Sequence, residues 1–168
     1  MYLNYIQLKS ARCALNLGVR DIGLLIQTSR TTISKLEQNT INISNMRLAE
    51  RRNLILHEFF KKNKIVFPNS YSIELDCFNG NISTAALGVE AMTRFQLRVS
   101  RIIFNKTQAE LAKLVCVAPS VIKKAESYNN QSLLKADNLR VVSDLLNLLK
   151  KEGLEFPSPN LVLFRNFS

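Results

Sequence analysis

The chain contains few of the residues that build metal sites, disulfide frameworks and catalytic centres. Its 168 residues include three cysteines and a single histidine, His57. Cys13, Cys77 and Cys116 are far apart, so they predict neither a disulfide framework nor a paired-cysteine metal site, and we expect reduced thiols. A cysteine–histidine catalytic pair stays open, although no neighbouring residue marks either partner as activated. The sequence therefore predicts no metal, no cofactor and no enzymatic activity.

Long apolar runs are also missing. No uninterrupted stretch approaches the roughly 20 residues that span a bilayer, and the amino terminus lacks the apolar core of a signal peptide. Hydrophobic residues still make up 46% of the chain, which is enough to fill a core. These features predict a folded cytoplasmic protein without a membrane partner.

Acidic residues are scarce relative to basic ones. Lys and Arg number 23 against 13 Asp and Glu, which gives a formal net charge of +10. A surface this basic favours a polyanion as its partner. Since a membrane is not expected, the charge indicates nucleic acid, and we expect a location at the nucleoid.

The sequence repeats itself at a spacing of 89 residues. Aligning residues 1–79 with residues 90–168 without a gap gives 15 identical pairs in 79, from Gln7/Gln96 to Phe78/Phe167. Each copy is basic by itself, because residues 1–78 carry 11 basic and 6 acidic side chains and residues 93–168 carry 12 and 6. The spacing predicts two domains, residues 1–76 and 91–168, joined by a linker over residues 77–90.

Hydrophobic spacing predicts the same series of helices in each copy. In the first copy four helices are expected, at about residues 4–16, 19–26, 30–38 and 44–63. Gly18 is expected to end the first of them, and Ser29 is of the type that caps the third.

The second copy carries clearer helix signals. Thr107 and Glu110 have the spacing of a capping box before its second helix. Pro119 is expected at the first position of its third helix, where a missing N–H has no cost. A long helix is expected over about residues 134–152 and is ended by Gly153.

Each copy closes with two short apolar stretches around a Pro-containing turn, which predicts a small β-hairpin. Exposed strand edges tend to pair with other strands. Either the two hairpins of one chain pair with each other, or they join two chains. We expect self-association, through Phe67, Ile73, Phe156 and Val162.

One segment of each copy resembles a known family. Residues 21–37 read Asp-Ile-Gly-Leu-Leu-Ile-Gln-Thr-Ser-Arg-Thr-Thr-Ile-Ser-Lys-Leu-Glu, and their counterparts include Gln108-Ala109-Glu110-Leu111-Ala112 and Ser120 to Glu126. These are similar to the XRE family of phage-repressor and Cro-like proteins, whose pattern is Gln-x-x-Leu-Ala, a turn, then Ser-x-x-Thr-Ile-Ser-x-x-Glu. The usual turn glycine of the family is replaced by Gln27 and Cys116. The resemblance implies a mainly α fold: two tandem lambda-repressor-like helix-turn-helix domains, each of about four helices followed by a small β-hairpin.

The resemblance also implies which residues contact double-stranded DNA, because the third helix of this fold enters the major groove. In the first copy, Arg30 and Thr31 are expected at bases, with other polar side chains at bases or phosphates: Ser29, Ser34 and Lys35. The second copy offers fewer hydrogen-bonding side chains and more charge. Its expected contacts are mainly to phosphates, through Gln108, Ser120, Lys123 and Lys124.

Two ion pairs are implied by the same resemblance. Arg12 with Glu37 and Arg101 with Glu126 keep the same separation in both copies. In the family such a pair ties the first helix to the end of the third, so we expect these residues to be structural.

Taken with the charge, these features predict a sequence-specific transcriptional regulator whose two non-identical heads read a two-part operator. By family analogy its targets would be mobile-element or phage-derived genes. The alternative is an antitoxin or adaptor in which one or both heads bind a protein. It rests on Ala118-Pro119-Ser120, which offer few side chains able to hydrogen-bond with DNA bases.

Overall fold

The computed structural model describes residues 1–46, 49–76, 91–127, 130, 134 and 139–164. The chain is mainly helical with short antiparallel strands. It divides into two compact units, Met1–Asp76 and Cys77–Ser168. The predicted linker over residues 77–90 lies outside the described residues.

The first unit contains four α-helices and one hairpin. The elements are α1 (Tyr5–Ala14), α2 (Val19–Leu25), α3 (Arg30–Glu37), a 3-10 helix (Ile43–Asn45), α4 (Ala49–Lys62), β1 (Ile65–Val66) and β2 (Ser72–Leu75). Its core is built from apolar side chains of every helix and of the hairpin, among them Leu8, Ile22, Ile33, Phe60 and Ile73.

The second unit repeats this order. Its elements are α5 (Arg94–Ile103), α6 (Gln108–Leu114), α7 (Pro119–Glu126), α8 (Leu139–Lys151), β3 (Leu154–Glu155) and β4 (Leu161–Phe164). Tyr5 begins α1 and Arg94 begins α5, and 94 − 5 is 89, the spacing of the sequence repeat. The same difference relates the first and last residues of every described α-helix and strand except the first residue of α4 and α8.

Both long helices begin later than predicted. Ser44 belongs to the short 3-10 helix, and Met46 has an extended backbone with ψ 143°, so α4 begins only at Ala49. In the second unit Leu134 is not helical, and its N–H donates instead to the carbonyl of Met92, 3.0 Å away. The apolar spacing continues to Ser44 and Leu134, but both residues lie outside the long helices.

Asn16, and not Gly18, ends the first helix. Asn16 has φ 56° and its counterpart Asn105 has φ 49°, a left-handed conformation that asparagine tolerates better than most residues. In both units the N–H of the residue after this asparagine donates to the carbonyl of an arginine in the first helix. Leu17 donates to Arg12, and Lys106 donates to Arg101. Gly18 has an ordinary φ of −79° and caps α2. Gly153 does end α8, with φ 89°.

Both predicted hairpins form. Ile65 pairs with Leu75 and Leu154 with Phe164, each in an antiparallel register. A glutamine of the first helix fixes each turn to its own unit. Gln7 Nε2 donates to the Asn69 carbonyl at 2.7 Å, and Gln96 Nε2 donates to the Ser158 carbonyl at 2.8 Å.

The residues expected to mediate hairpin association differ in exposure. Ile73 and Val162 are fully buried within a single chain, so their side chains are not available to a second chain. Phe67 and Phe156 lie just outside the strands and are half-buried.

Within the described part of the chain, no helix is both long and apolar enough to traverse a bilayer. Cys13 and Cys116 are free thiols, and Cys77 lies outside the described residues.

Candidate nucleic-acid interface

The turn between α2 and α3 is tight. The Thr28 N–H donates to the Gly23 carbonyl over 2.8 Å, and a Cβ on Gly23 would lie 2.9 Å from the Thr28 carbonyl oxygen. Gln27 in this turn has φ 52°. Ser29 then caps α3, because its hydroxyl accepts from the Thr32 N–H at 3.1 Å.

The second unit makes the same turn with other residues. The Val117 N–H donates to the Ala112 carbonyl at 2.9 Å, and Cys116 has φ 54°. Ala118 stands at the cap of α7 and offers no side-chain bond, while Pro119 is the first helical residue as predicted. The turn therefore keeps its left-handed residue in both units although neither has glycine there.

Replacing Gln27 by glycine is expected to stabilise the first unit by about 0.5–1 kcal/mol, because glycine adopts a positive φ without the steric cost of a Cβ. Gln38→Gly is the matched control, since Gln38 is also exposed but has φ −94°. We expect the control to lower stability through chain entropy. Urea unfolding curves measure both changes, and a destabilised Gln27→Gly variant would contradict the strain argument.

One face of α3 is buried and the other is open. Ile33, Leu36 and Glu37 point into the unit. The predicted DNA-contacting residues are exposed or partly exposed: Ser29, Arg30, Thr31 and Lys35 are exposed, and Ser34 is partly exposed. The amino-terminal half of α3 therefore presents hydroxyl groups and a guanidinium to solvent.

The corresponding helix of the second unit has a different outer face. Ile122 and Glu126 are buried. The exposed side chains are Ala118, Pro119, Ser120, Lys123 and Lys124. Two neighbouring ammonium groups thus take the place of the mixed polar side chains of α3. Few of the exposed side chains of α7 can form paired hydrogen bonds with a base edge.

The predicted ion pairs form in both units with the same geometry. Arg12 Nη2 donates to Glu37 Oε2 at 2.7 Å and Nη1 donates to the Leu17 carbonyl at 2.6 Å. Arg101 Nη2 donates to Glu126 Oε2 at 2.8 Å and Nη1 to the Lys106 carbonyl at 2.9 Å. The hydrogen bond that Arg12 donates to Glu37 raises the pKa of Arg12 above its ordinary value. Each pair holds the first helix of its unit against the carboxyl end of the third.

Gln108 does not present a free amide at the surface. Its Nε2 donates to Glu126 Oε2 at 2.8 Å, so a phosphate contact through this group has to compete with an internal hydrogen bond. The first unit has Val19 in the corresponding place. Gln108 therefore extends the Arg101–Glu126 pair.

Two arginines that sequence reasoning missed support the ends of these helices. Arg52 of α4 donates from Nε to the Ile26 carbonyl and from Nη2 to the Gln27 carbonyl, both at 3.1 Å. Arg94 of α5 is 5% exposed and donates to the carbonyls of Lys124 and Ala125 at the end of α7. A positive charge at carbonyls that end a helix is favourable. Their counterparts in the other unit are Val141 and Tyr5. The sequence signal that could have marked these two arginines is that each occurs in one copy only.

The second unit concentrates positive charge around α5. Arg98 is 6% exposed and donates from Nη1 to Asn130 Oδ1 at 2.8 Å. Burial lowers the pKa of Arg98, Glu126 raises it, and the charges of Arg94 and Arg101 lower it further. Glu126 is thus the carboxylate that offsets this cluster within the described contacts.

Among the described residues, no group of three or more His, Cys, Asp or Glu side chains lies in a position to hold a metal ion. Comparison of the chain with protein-family models, with curated protein sequences and with solved structures finds no match.

Proposed function

We propose that the chain is a sequence-specific DNA-binding transcriptional regulator of the XRE type, with one helix-turn-helix domain in each unit. In this proposal α3 and α7 are the recognition helices, and each enters a major groove of double-stranded DNA. The chain performs no catalytic step, requires no cofactor and acts at the nucleoid. Mobile-element or phage-derived genes are the targets that family analogy suggests.

The observation that carries the proposal is the two-sided character of the third helix in each unit. Its inner face is fixed by a buried isoleucine and a buried glutamate, Ile33 with Glu37 and Ile122 with Glu126. Its outer face is polar or basic and open to solvent. A short helix held rigidly with such a face suits a groove lined by phosphates and base edges.

The two heads would contribute differently to binding. Arg30 can donate two hydrogen bonds to a guanine, a contact worth about 1–3 kcal/mol of discrimination. Lys123 and Lys124 are point charges that suit phosphate oxygens. We therefore infer that the first unit reads sequence and the second mainly adds affinity, so that the operator has two unequal parts.

A salt titration of binding to random duplex DNA tests the proposal. If Lys35, Lys123 and Lys124 make three phosphate contacts, binding should weaken about 40-fold when salt rises from 50 to 200 mM. Fluorescence anisotropy of a labelled duplex measures this slope. Negligible affinity at 50 mM salt, or an affinity that salt hardly changes, would contradict DNA binding.

A protein-binding role for the second unit is the other candidate. Leu114 is 49% exposed, and Ala118 and Pro119 are exposed a few residues further along the chain. Exposed apolar side chains of this kind suit a protein partner, as in an antitoxin or adaptor. If replacing Lys123 and Lys124 leaves DNA affinity unchanged, this candidate gains over phosphate binding by α7.

A further inference from the structure

The outer face of α4 carries a stripe of side chains that the core of the first unit does not use. Glu50, Leu54, His57 and Lys61 are separated by four, three and four residues, so they lie along one face of the helix. Glu50 and Lys61 are exposed and His57 is half-buried. Leu54 is 57% exposed. The helix thus presents an apolar side chain to solvent between an acidic and a basic end.

The amino-terminal segment is fixed against this stripe. The Leu3 N–H donates to Asn53 Oδ1, and Asn53 Nδ2 donates to the Met1 carbonyl, both at 3.0 Å. His57 Nε2 lies 3.2 Å from the same carbonyl. These bonds hold the side chains of Met1 and Tyr2, which are 59% and 39% exposed, beside Leu54.

A shallow cleft of about 520 Å³ is lined by Met1, Tyr2, Glu50, Asn53, Leu54 and His57. We call the stripe together with the two amino-terminal residues the α4 patch, and its members are Met1, Tyr2, Glu50, Leu54, His57 and Lys61. Contiguous exposed apolar side chains bordered by charges are typical of interaction sites.

The α4 patch is complementary to itself when two α4 helices run antiparallel. Glu50 and Lys61 lie equally far from the midpoint of the stripe, and so do Leu54 and His57. A two-fold axis through that midpoint places Glu50 opposite Lys61 of the second copy and Leu54 opposite its His57. Two-fold homodimers are built in this way, because each patch meets an identical patch. Two ion pairs would then flank an apolar centre.

The second unit lacks this surface. Leu54 corresponds to Ser143, which is exposed, and His57 corresponds to Leu146, which is buried. Glu50 corresponds to Leu139, so the acidic end is also absent. The patch is therefore a property of the first unit and not of the repeated fold.

We propose that the α4 patch binds a second copy of this chain in a two-fold dimer with antiparallel α4 helices. The proposal goes beyond the DNA-binding function and stands without it, because the contact needs no nucleic acid. It also differs from association through the hairpins, in which Ile73 and Val162 are already buried.

Charge reversal tests the dimer on the full chain in the absence of DNA. Sedimentation equilibrium should show wild-type dimers, and Glu50→Lys or Lys61→Glu alone should raise the dissociation constant at least about tenfold. The double variant E50K/K61E should return to within about threefold of wild type, because both ion pairs re-form with reversed sign. Two weakened single variants without recovery in the double variant would overturn the proposal.

A second test of the dimer replaces Leu54 by glutamate and uses Leu24→Glu as its matched control. Leu24 is 70% exposed and lies on α2, outside the α4 patch. We expect Leu54→Glu to be monomeric and Leu24→Glu to dimerise like wild type, with unchanged circular dichroism for both. A wild-type chain that is monomeric at about 1 mM, a Leu54→Glu variant that still dimerises, or equal losses in both variants would each overturn the proposal.

Discussion

Replacing Glu126 by alanine is expected to lower the free energy of unfolding of the second unit by about 3–5 kcal/mol. Glu126 is 6% exposed and accepts three side-chain hydrogen bonds, two from Arg101 and one from Gln108. Its removal leaves the Arg101 guanidinium, 14% exposed, without its carboxylate. Breaking one partner of a buried pair has this large effect because the remaining charge stays desolvated.

The positive surroundings add to the effect in the second unit. Arg98 is attracted to Glu126 and repelled by Arg94 and Arg101, so the loss of Glu126 leaves three guanidinium groups without the carboxylate that offsets them. The equivalent change in the first unit, Glu37→Ala, removes two bonds from Arg12 and none from a glutamine. We therefore expect Glu37→Ala to be the milder of the two.

Urea unfolding of the full chain, followed by circular dichroism, measures these losses. Arg140→Ala is the control, because it breaks a pair with Asp144 that is 4.0 Å long and has side-chain exposures of 95% and 48%. Such an exposed pair contributes about 0.5 kcal/mol or less. If Glu126→Ala costs no more than this control, the buried pair is not a structural requirement.

Arg30→Ala and the double variant Lys123→Ala with Lys124→Ala are expected to impair DNA binding in different ways. Arg30 is exposed at the first position of α3, where a recognition helix meets base edges. Its loss should reduce the preference for the best site over random duplex by about 5- to 150-fold, which is about 1–3 kcal/mol. Affinity for random duplex should change far less.

The two lysines should instead contribute the same amount of affinity on every DNA sequence. Each phosphate contact accounts for about 0.9 of the slope of log affinity against log salt, so the double variant should lose about 1.8 of that slope. Its preference among sequences should be unchanged.

Selection of a bound site from a random duplex library, followed by anisotropy titrations of each variant, separates these outcomes. Lys150→Ala with Lys151→Ala is the matched control, because it removes the same charge from exposed positions at the end of α8. Equal and non-selective losses of DNA affinity in all variants would contradict the inference that Arg30 recognises bases while Lys123 and Lys124 bind phosphates. Failure to select any site would contradict sequence-specific binding itself.

Signals that lie within a few residues of one another were sufficient to predict much of the fold. Thr107 and Glu110 form the predicted capping box, with Glu110 Oε2 accepting from the Thr107 N–H at 2.7 Å. That bond and the Thr107 hydroxyl lower the pKa of Glu110. Ser29 caps α3 and Pro119 begins α7 as predicted. A cap needs only three or four neighbouring residues, so the local sequence determines it.

Prediction of contacts between helices came from the resemblance to the XRE family. The resemblance implied the pairs Arg12 with Glu37 and Arg101 with Glu126, although the partners are 25 residues apart. The spacing of 89 residues added that both copies keep the same pair. The three unmatched residues at the helix ends, Arg52, Arg94 and Gln108, have no such duplicate, and their partners could not be deduced.

The sequence by itself determined the repeat, the helix boundaries that carry caps, the hairpins and the excess of positive charge. Only the tertiary structure decided where Gln108 donates, that Gln27 and Cys116 take a left-handed backbone, and that Ile73 and Val162 are buried. It also decided that Leu54 stays exposed on α4. The reason is physical: a helix cap or a hairpin is settled among neighbouring residues, whereas burial, a positive φ at a residue other than glycine and the choice of a distant hydrogen-bond partner depend on packing across the whole unit.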